Sequence, residues 1–165
     1  MKRRTVLTAA AGAVLSCAVW SEPAAVGGVV DWPRLQLLDG SVWEAASWRE
    51  QPAIVVVWAT YCPFCKRHNA HLDKLFAQGR AQGLRMLGIA IDTDERLVRQ
   101  YMTGNTYRFP VAMDGGQLRS RLTSRRVIPM TFAIDRQGRL QQVIPGEMFE
   151  EDLADLANSL LKRAA

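Results

Sequence analysis

The chain has 165 residues, 48% of them hydrophobic and 22% charged, enough for one domain with its own core. It has no internal repeat or low-complexity tract. Its formal charge of +5 is concentrated at the start: without Lys2, Arg3 and Arg4, 18 basic residues face 16 acidic ones, too even a balance for a nucleic-acid-binding stripe. Arg119, Arg121, Arg125 and Arg126 form a local basic cluster that reads as a solvated helix face or loop.

Residues 1–28 read as an export signal or membrane anchor plus a linker, and residues 29–165 as the folded domain. A positive start precedes an uncharged apolar stretch from Val6 to Trp20. That stretch is shorter than the roughly 20 residues of a comfortable membrane span. Arg3-Arg4-Thr5-Val6-Leu7 suits a twin-arginine signal and a general secretory signal equally. Three ends are open to it. Val14-Leu15-Ser16-Cys17 approximates a lipoprotein box that would lipidate Cys17, Ser16 and Ala18 fit cleavage after Ala18, and the segment could stay as an uncleaved anchor. All three place the domain outside the cytoplasm, in the periplasm or on the outer face of a bacterial cytoplasmic membrane.

Ala24 to Gly28 is small and reads as the linker. Arg34 to Asp39 and Gly40 to Trp43 predict two short strands around an Asp39-Gly40 turn. Glu44 to Arg49 makes one helical turn before Pro52. Ala53-Ile-Val-Val-Val-Trp-Ala59 is a continuous β-branched run, the pattern of a central strand buried on both faces. A helix follows from Cys62 to Gln78, with Leu72, Leu75 and Phe76 at core spacing. Leu84 to Asp92 reads as a second buried strand and Asp94 to Met102 as a second helix, its acidic start matching the helix dipole. Phe109 to Met113 and a short helix from Gln117 to Leu122 come next. Met130 to Asp135 and Arg139 to Ile144 form a hairpin. Phe149 to Lys162 closes the chain as an amphipathic helix. The order implies a mixed α/β sheet with helices on both faces.

Of three cysteines, only Cys62 and Cys65 lie in the domain. A small secreted framework would use several widely spaced pairs, so one close pair points to chemistry. Cys62 falls where a buried strand feeds a helix. Unpaired N–H groups and the positive dipole end stabilise a thiolate there, and such positions lower a thiol pKa from about 8.5 to roughly 3.5–7.5. Cys65, one turn further in, reaches the same sulfur from a more buried place. Pro63 suits the first helical turn. Ile128-Pro129 stands at the start of a strand. If its bond were cis, it could shape a groove and present backbone groups to a docking chain.

Cys62, Cys65, His68 and His71 also have the look of metal ligands, which would make a copper or zinc binding or delivery protein. Each three-residue step turns a helix by about 60°, however, so His71 faces away from Cys62. Cys62, Cys65 and His68 with a distant ligand remain as that alternative. A peroxidase is disfavoured because the proline of a Pro-x-x-x-Thr-x-x-Cys context is missing. A purely structural bridge over so small a loop would constrain the unfolded chain little.

Trp58-Ala-Thr-Tyr-Cys62-Pro-Phe-Cys65, Ile128-Pro129-Met130-Thr-Phe and Asp135-Arg-Gln-Gly-Arg together resemble the thioredoxin fold. The leading hairpin, the export segment and the insert of about 25 residues around Asp94 to Gln117 make the chain similar to exported TlpA/ResA/CcmG-like thiol:disulfide oxidoreductases. The resemblance runs from Asp31 to Leu161. It implies that Cys62 attacks, Cys65 resolves, and Pro129 is a cis-proline. It also implies that Trp58 packs beside the disulfide, that Trp58, Ile128 and Pro129 form the substrate-binding wall, and that no metal or cofactor is needed beyond a redox-active Cys62–Cys65 disulfide. The partners implied are protein thiols and disulfides outside the cytoplasm, with a membrane thiol carrier as electron donor. Apocytochrome cysteines, copper-site cysteines or a broader clientele would be the substrates. Ile before Pro129 resembles reducing thioredoxins, so a reductase is expected. Three positions depart from the pattern: Val56 replaces the buried acid of thioredoxins, His68 the usual glutamate, and Ala70 the usual proline. His68 is either a proton acceptor or thiolate partner for Cys65, or a partly exposed helix histidine without a chemical role.

Overall fold

The computed structural model describes residues 23–48, 50–79 and 83–162; the apolar stretch read as an export signal or anchor, with Cys17, lies outside them. The elements are β1 (Leu35–Gln36), β2 (Val42–Trp43), a 3-10 turn (Ala45–Trp48), β3 (Ala53–Trp58) and α1 (Pro63–Gly79). They continue with β4 (Arg85–Ala90), α2 (Glu95–Gly104), β5 (Val111–Met113), α3 (Leu118–Leu122), β6 (Met130–Ile134), β7 (Leu140–Pro145) and α4 (Glu150–Lys162).

Five strands form the central sheet in the order β5-β4-β3-β6-β7. β3 runs parallel to β4 and antiparallel to β6, so it is hydrogen-bonded along both edges. That position explains its composition. Every residue of β3 is buried, Ile54, Val56 and Trp58 in one core and Ala53, Val55 and Val57 in the other. Alternation disappears from a strand whose two faces are both covered. At about 1.5–3 kcal/mol per fully buried large aliphatic side chain, this strand anchors both cores.

α1 and α4 pack on the first face through Leu72, Leu75 and Phe76 and through Leu153, Leu156, Ala157 and Leu160. Val98 of α2 joins them. The second face also carries a helix, as expected: among the described residues it is the five-residue α3, with Leu118 and Leu122, and the rest of the cover is the N-terminal segment through Val30, Trp32, Leu35 and Leu37.

That segment departs from its reading as a free linker. Gly27 N–H donates to Leu140 O at 2.7 Å, Leu140 N–H to Gly28 O at 2.9 Å and Val30 N–H to Gly138 O at 2.9 Å, so residues 27–30 close the β7 edge. The chain then crosses the face and pairs Leu37 with Ala112, while Leu38 N–H donates to Val111 O at 2.8 Å on the β5 edge. Both exposed edges of the sheet are thereby blocked. Leu37 stays in the hairpin, its N–H donating to Ser41 O at 2.9 Å, while Leu38 turns to β5. The turn between β1 and β2 uses Gly40 at φ 85°, where a side chain would be strained.

The insert supplies α2 and β5, which extends the sheet in parallel from β4. Asp94 caps α2 by accepting the Arg96 N–H at 2.9 Å. Asp73 of α1 holds the far end of the insert, accepting the Arg108 N–H at 2.6 Å and its guanidinium at 3.2 Å.

Gly88, in the middle of β4, admits the Trp58 indole. A Cβ there would stand 2.7 Å from Trp58 Nε1 and 2.9 Å from Phe109 Cε2. Both rings are wedged in the core, so Gly88→Ala is expected to destabilise the fold by about 1–3 kcal/mol through overpacking. Urea denaturation measures it, and an unchanged midpoint would show that the core yields.

Candidate active site

The ends of β3 and β4 and the start of β6 lie at one edge of the sheet, and the site is built there. Beyond β3, Ile91 N–H donates to Trp58 O at 3.0 Å and Cys62 N–H to Ala59 O at 3.3 Å. Thr60 is clamped to Asp92 at the end of β4. Its N–H donates to Oδ1 and Oδ2 at 3.3 and 3.1 Å, and its hydroxyl to Oδ1 at 2.5 Å. These bonds fix the turn that delivers Cys62.

α1 begins at Pro63, which makes Cys62 its N-cap. The Cys62 carbonyl accepts the Lys66 N–H at 3.2 Å and its Sγ accepts the Cys65 N–H at 3.2 Å. A sulfur thus fills the place that serine, threonine or aspartate oxygen usually takes. Such a donor binds an ionised acceptor more strongly than a neutral one. Cys62 keeps 7% of its surface exposed whereas Cys65 keeps none, matching the expected outer and inner thiols. Tyr61 and Phe64 beside them are exposed.

The facing wall comes from β6. The Ile128–Pro129 peptide is cis, and Ile128 O lies 3.9 Å from Cys62 Sγ. Ile128 is half-buried, Pro129 is buried and Val127 is exposed. Trp58 requires a correction. Its side chain has no exposed surface and packs against Tyr101 and Phe109, with ring centroids 5.2 and 6.5 Å away. A ring so enclosed supports the floor of the site and offers no surface to a docking chain, against the expectation that it lines a substrate-binding wall with Ile128 and Pro129.

Burial pushes the Cys65 thiol pKa up, and the neighbouring Cys62 and the Asp92 charge push in the same direction. The Ala59 N–H opposes them. Cys65 therefore sits protonated until something removes its proton.

His68 is neither of the two things expected of it. It is fully buried. Nδ1 accepts the Met148 N–H at 3.0 Å, which puts the ring proton on Nε2, facing Thr131 Oγ1 at 3.3 Å. With both nitrogens engaged, the ring staples α1 to β6 and to the loop before α4. Neither lone pair is offered to Cys65 or to a metal held with the thiols. His71 turns away as expected, with Nδ1 3.7 Å from a Glu150 carboxylate oxygen. Among the described residues no three His, Cys, Asp or Glu side chains gather as metal ligands.

Sequence reasoning overlooked the Thr60–Asp92 clamp. Its one signal was an acidic residue closing a buried strand that the order of elements places beside the Cys62 strand.

Burial holds the His68 pKa down to about 4, against 6.5 for a free histidine. Below pH 6.5 the unfolded chain binds a proton that the folded chain refuses, so stability falls as pH drops from 6.5 towards 4. The total loss from this group is on the order of 3 kcal/mol. Urea denaturation across that window is expected to show the decline, and His68→Gln to flatten its upper part. Parallel curves for the two proteins would show that His68 does not cause it.

Comparison with known proteins places this geometry. The AhpC/TSA family profile matches residues 31–143. Thiol-disulfide oxidoreductase ResA of Halalkalibacterium halodurans is 26% identical over 117 residues, covering 71% of this chain and 66% of that protein. ResA of Geobacillus kaustophilus is 25% identical over 150 residues, covering 90% of this chain and 86% of that protein. The crystal structure of a thiol:disulfide interchange protein of the thioredoxin family from Chlorobium tepidum superposes with a TM-score of 0.72 at 25% identity, covering 86% of this chain and 97% of that one. The peroxidatic proline is missing here, and the curated likeness is to ResA. With its thioredoxin-like sheet, its capped cysteine pair and its cis-proline wall, the chain belongs to the AhpC/TSA family, and its likeness within that family is to thiol-disulfide oxidoreductases of the ResA type.

Proposed function

We propose that the protein is an exported thiol:disulfide oxidoreductase that reduces protein disulfides through a Cys62–Cys65 dithiol/disulfide cycle. The observation carrying this reading is the sulfur at the N-cap of α1, hydrogen-bonded by Cys65 N–H and facing the Ile128 carbonyl.

The cycle follows from where the two sulfurs sit. Cys62 thiolate attacks one sulfur of a partner disulfide, and the partner's other sulfur leaves with the bonding electron pair. The partner is then held on Cys62 as a mixed disulfide. Cys65, deprotonated, attacks Cys62 Sγ, expels the partner's remaining thiolate and closes Cys62–Cys65. The partner gains two electrons and the protein loses two. Backbone beside the cis-proline, with the exposed Tyr61, Phe64 and Val127, gives a docking chain polar and apolar contacts on either side of Cys62.

Re-reduction needs a thiol donor on the same side of the membrane, for which a membrane-embedded thiol carrier is the fitting class. Export rests on the positive, apolar N-terminus and on relatives named as ResA. Tethering through that N-terminus would keep the domain near such a carrier. Protein cysteines awaiting haem or copper are suitable substrates, since they must be reduced in an oxidising compartment.

Cys65→Ser is expected to accumulate client proteins as mixed disulfides on Cys62, while Cys62→Ser traps none and loses disulfide reduction. Non-reducing electrophoresis and mass spectrometry read both. In equilibrium with a glutathione buffer the wild-type pair is expected to stand oxidised, as a reductase requires. A pair that stays reduced there would make the protein an oxidant.

A further inference from the structure

The four arginines that cluster in the sequence part company in the structure. Arg119 and Arg121 are half-buried on α3, and Arg121 is bonded to the Asp31 carboxylate and, at 3.1 Å, to the Asp31 carbonyl. Arg125 and Arg126 are exposed, and among the described residues neither has a carboxylate partner. Both stand just before Ile128, whose carbonyl lies 3.9 Å from Cys62 Sγ.

The backbone between these guanidiniums and the sulfur has room for a pairing strand. Thr123 leaves α3 with extended backbone, φ −163° and ψ 148°, and its Oγ1 accepts the Arg125 N–H at 3.0 Å. The β3–β6 ladder begins only at Met130, and among the described residues 126–128 make no backbone-to-backbone hydrogen bond. A client strand can pair there while its own sulfur reaches Cys62. An extended chain advances about 3.3 Å per residue, so Arg126 and Arg125 lie roughly 7 and 10 Å of chain before Ile128. Client residues a few places from the reacting cysteine therefore come to rest beside them.

The rest of the mouth has the same sign. Lys66, one turn into α1, is exposed and also lacks a carboxylate partner among the described residues. The carboxylates at this end of the sheet are turned to partners within the chain. Asp92 accepts from Thr60, Asp94 from Arg96 and Glu147 from Arg67. A cationic segment approaching Cys62 meets like charges at Lys66, Arg125 and Arg126, whereas an acidic one meets its complement.

Resting on the disulfide-reduction reading above, we propose that Arg125 and Arg126 select clients, favouring protein disulfides whose reacting cysteine has glutamate or aspartate two or three residues away. The guanidiniums pair with those carboxylates as the client settles along residues 126–128. Pairing of this kind raises the rate of encounter and fixes the register of the docked strand.

Capped peptides X-X-Gly-Cys-Gly-X-X, with X glutamate, glutamine or lysine, test this when each is joined through its cysteine to thionitrobenzoate. The Cys62 thiolate of the full-length reduced protein attacks the peptide sulfur. The bond to thionitrobenzoate breaks, and thionitrobenzoate leaves with the electron pair, its absorbance giving the second-order rate. At about 0.01 M salt, where charges act over roughly 30 Å, the glutamate peptide is expected to react about tenfold faster than the glutamine peptide. The lysine peptide should react about tenfold slower, and at about 1 M salt all three should agree within about twofold. Arg125→Gln/Arg126→Gln should lower the glutamate-to-glutamine ratio to about twofold or less, and Arg125→Glu/Arg126→Glu should reverse it. Arg136→Gln/Lys162→Gln removes the same charge from the β6–β7 turn and the end of α4, and should keep the ratio. Peptides that react alike in the wild type, or a preference that persists in Arg125→Gln/Arg126→Gln, overturn the selection and leave the cycle standing. A Cys62→Ser protein that releases thionitrobenzoate as fast as the wild type overturns the dithiol reading, and this proposal with it.

Discussion

A sulfur has to cap a helix at the end of a strand buried along its whole length, and the rest of the structure serves that requirement. β3 cannot shift along its axis, because a one-residue slip would send every side chain to the other face. Its six residues are committed to two different cores, and its two edges to β4 and β6. The position of Trp58 is therefore fixed, and with it the four-residue path to Cys62. Ile91 and Asp92, just beyond β4, hold that path, and Ile128, just before β6, turns its carbonyl to the sulfur. Three strands meeting at one edge position a group that none of them contains.

The same economy governs the periphery. A five-stranded sheet leaves two edges open to pairing with other chains. Here a single stretch, residues 27–38, bonds to β7, crosses a face and reaches β5. It supplies apolar cover where only a five-residue helix would otherwise lie.

The parts of the fold legible in the sequence were those decided by short-range pattern. The unbroken β-branched run of β3, the cysteine pair at its end, the 3.6-residue spacing of α1 and α4, and the turns at Gly40 and Gly138 carry their own signals. Ile128-Pro129 was legible only as a proline at a strand start, and its place opposite Cys62 needed the resemblance to a family. Contacts made across the sheet had no such signal. Residues 24–28 are small and looked like a linker, yet their backbone is paired, and backbone pairing leaves no mark on side-chain identity. His68 looked half-exposed because the α1 sequence shows it beside Arg67 and Asn69. Its burial is set by Met148 and Thr131, 80 and 63 residues away. Trp58 was assigned to the wall by the resemblance to a family. Gly88 on the next strand opens the space that draws its ring into the core.

The two thiols differ in environment, and the difference orders the chemistry. Cys62 has a helix N-terminus, a donated N–H and a path to solvent, so it meets a substrate first. Cys65 has no exposed surface and surroundings that penalise its charge, so it stays a thiol while Cys62 reacts. If both sulfurs ionised with equal ease, the pair would repel itself and either sulfur could be attacked. Burial of the inner one removes that ambiguity, at the cost of a slower second step unless a group nearby takes the proton. In α1 that group cannot be His68, whose ring is given over to holding the helix against β6 and the α4 approach. Thr60, bonded to Asp92, ties the turn that delivers both thiols to the strand beside it.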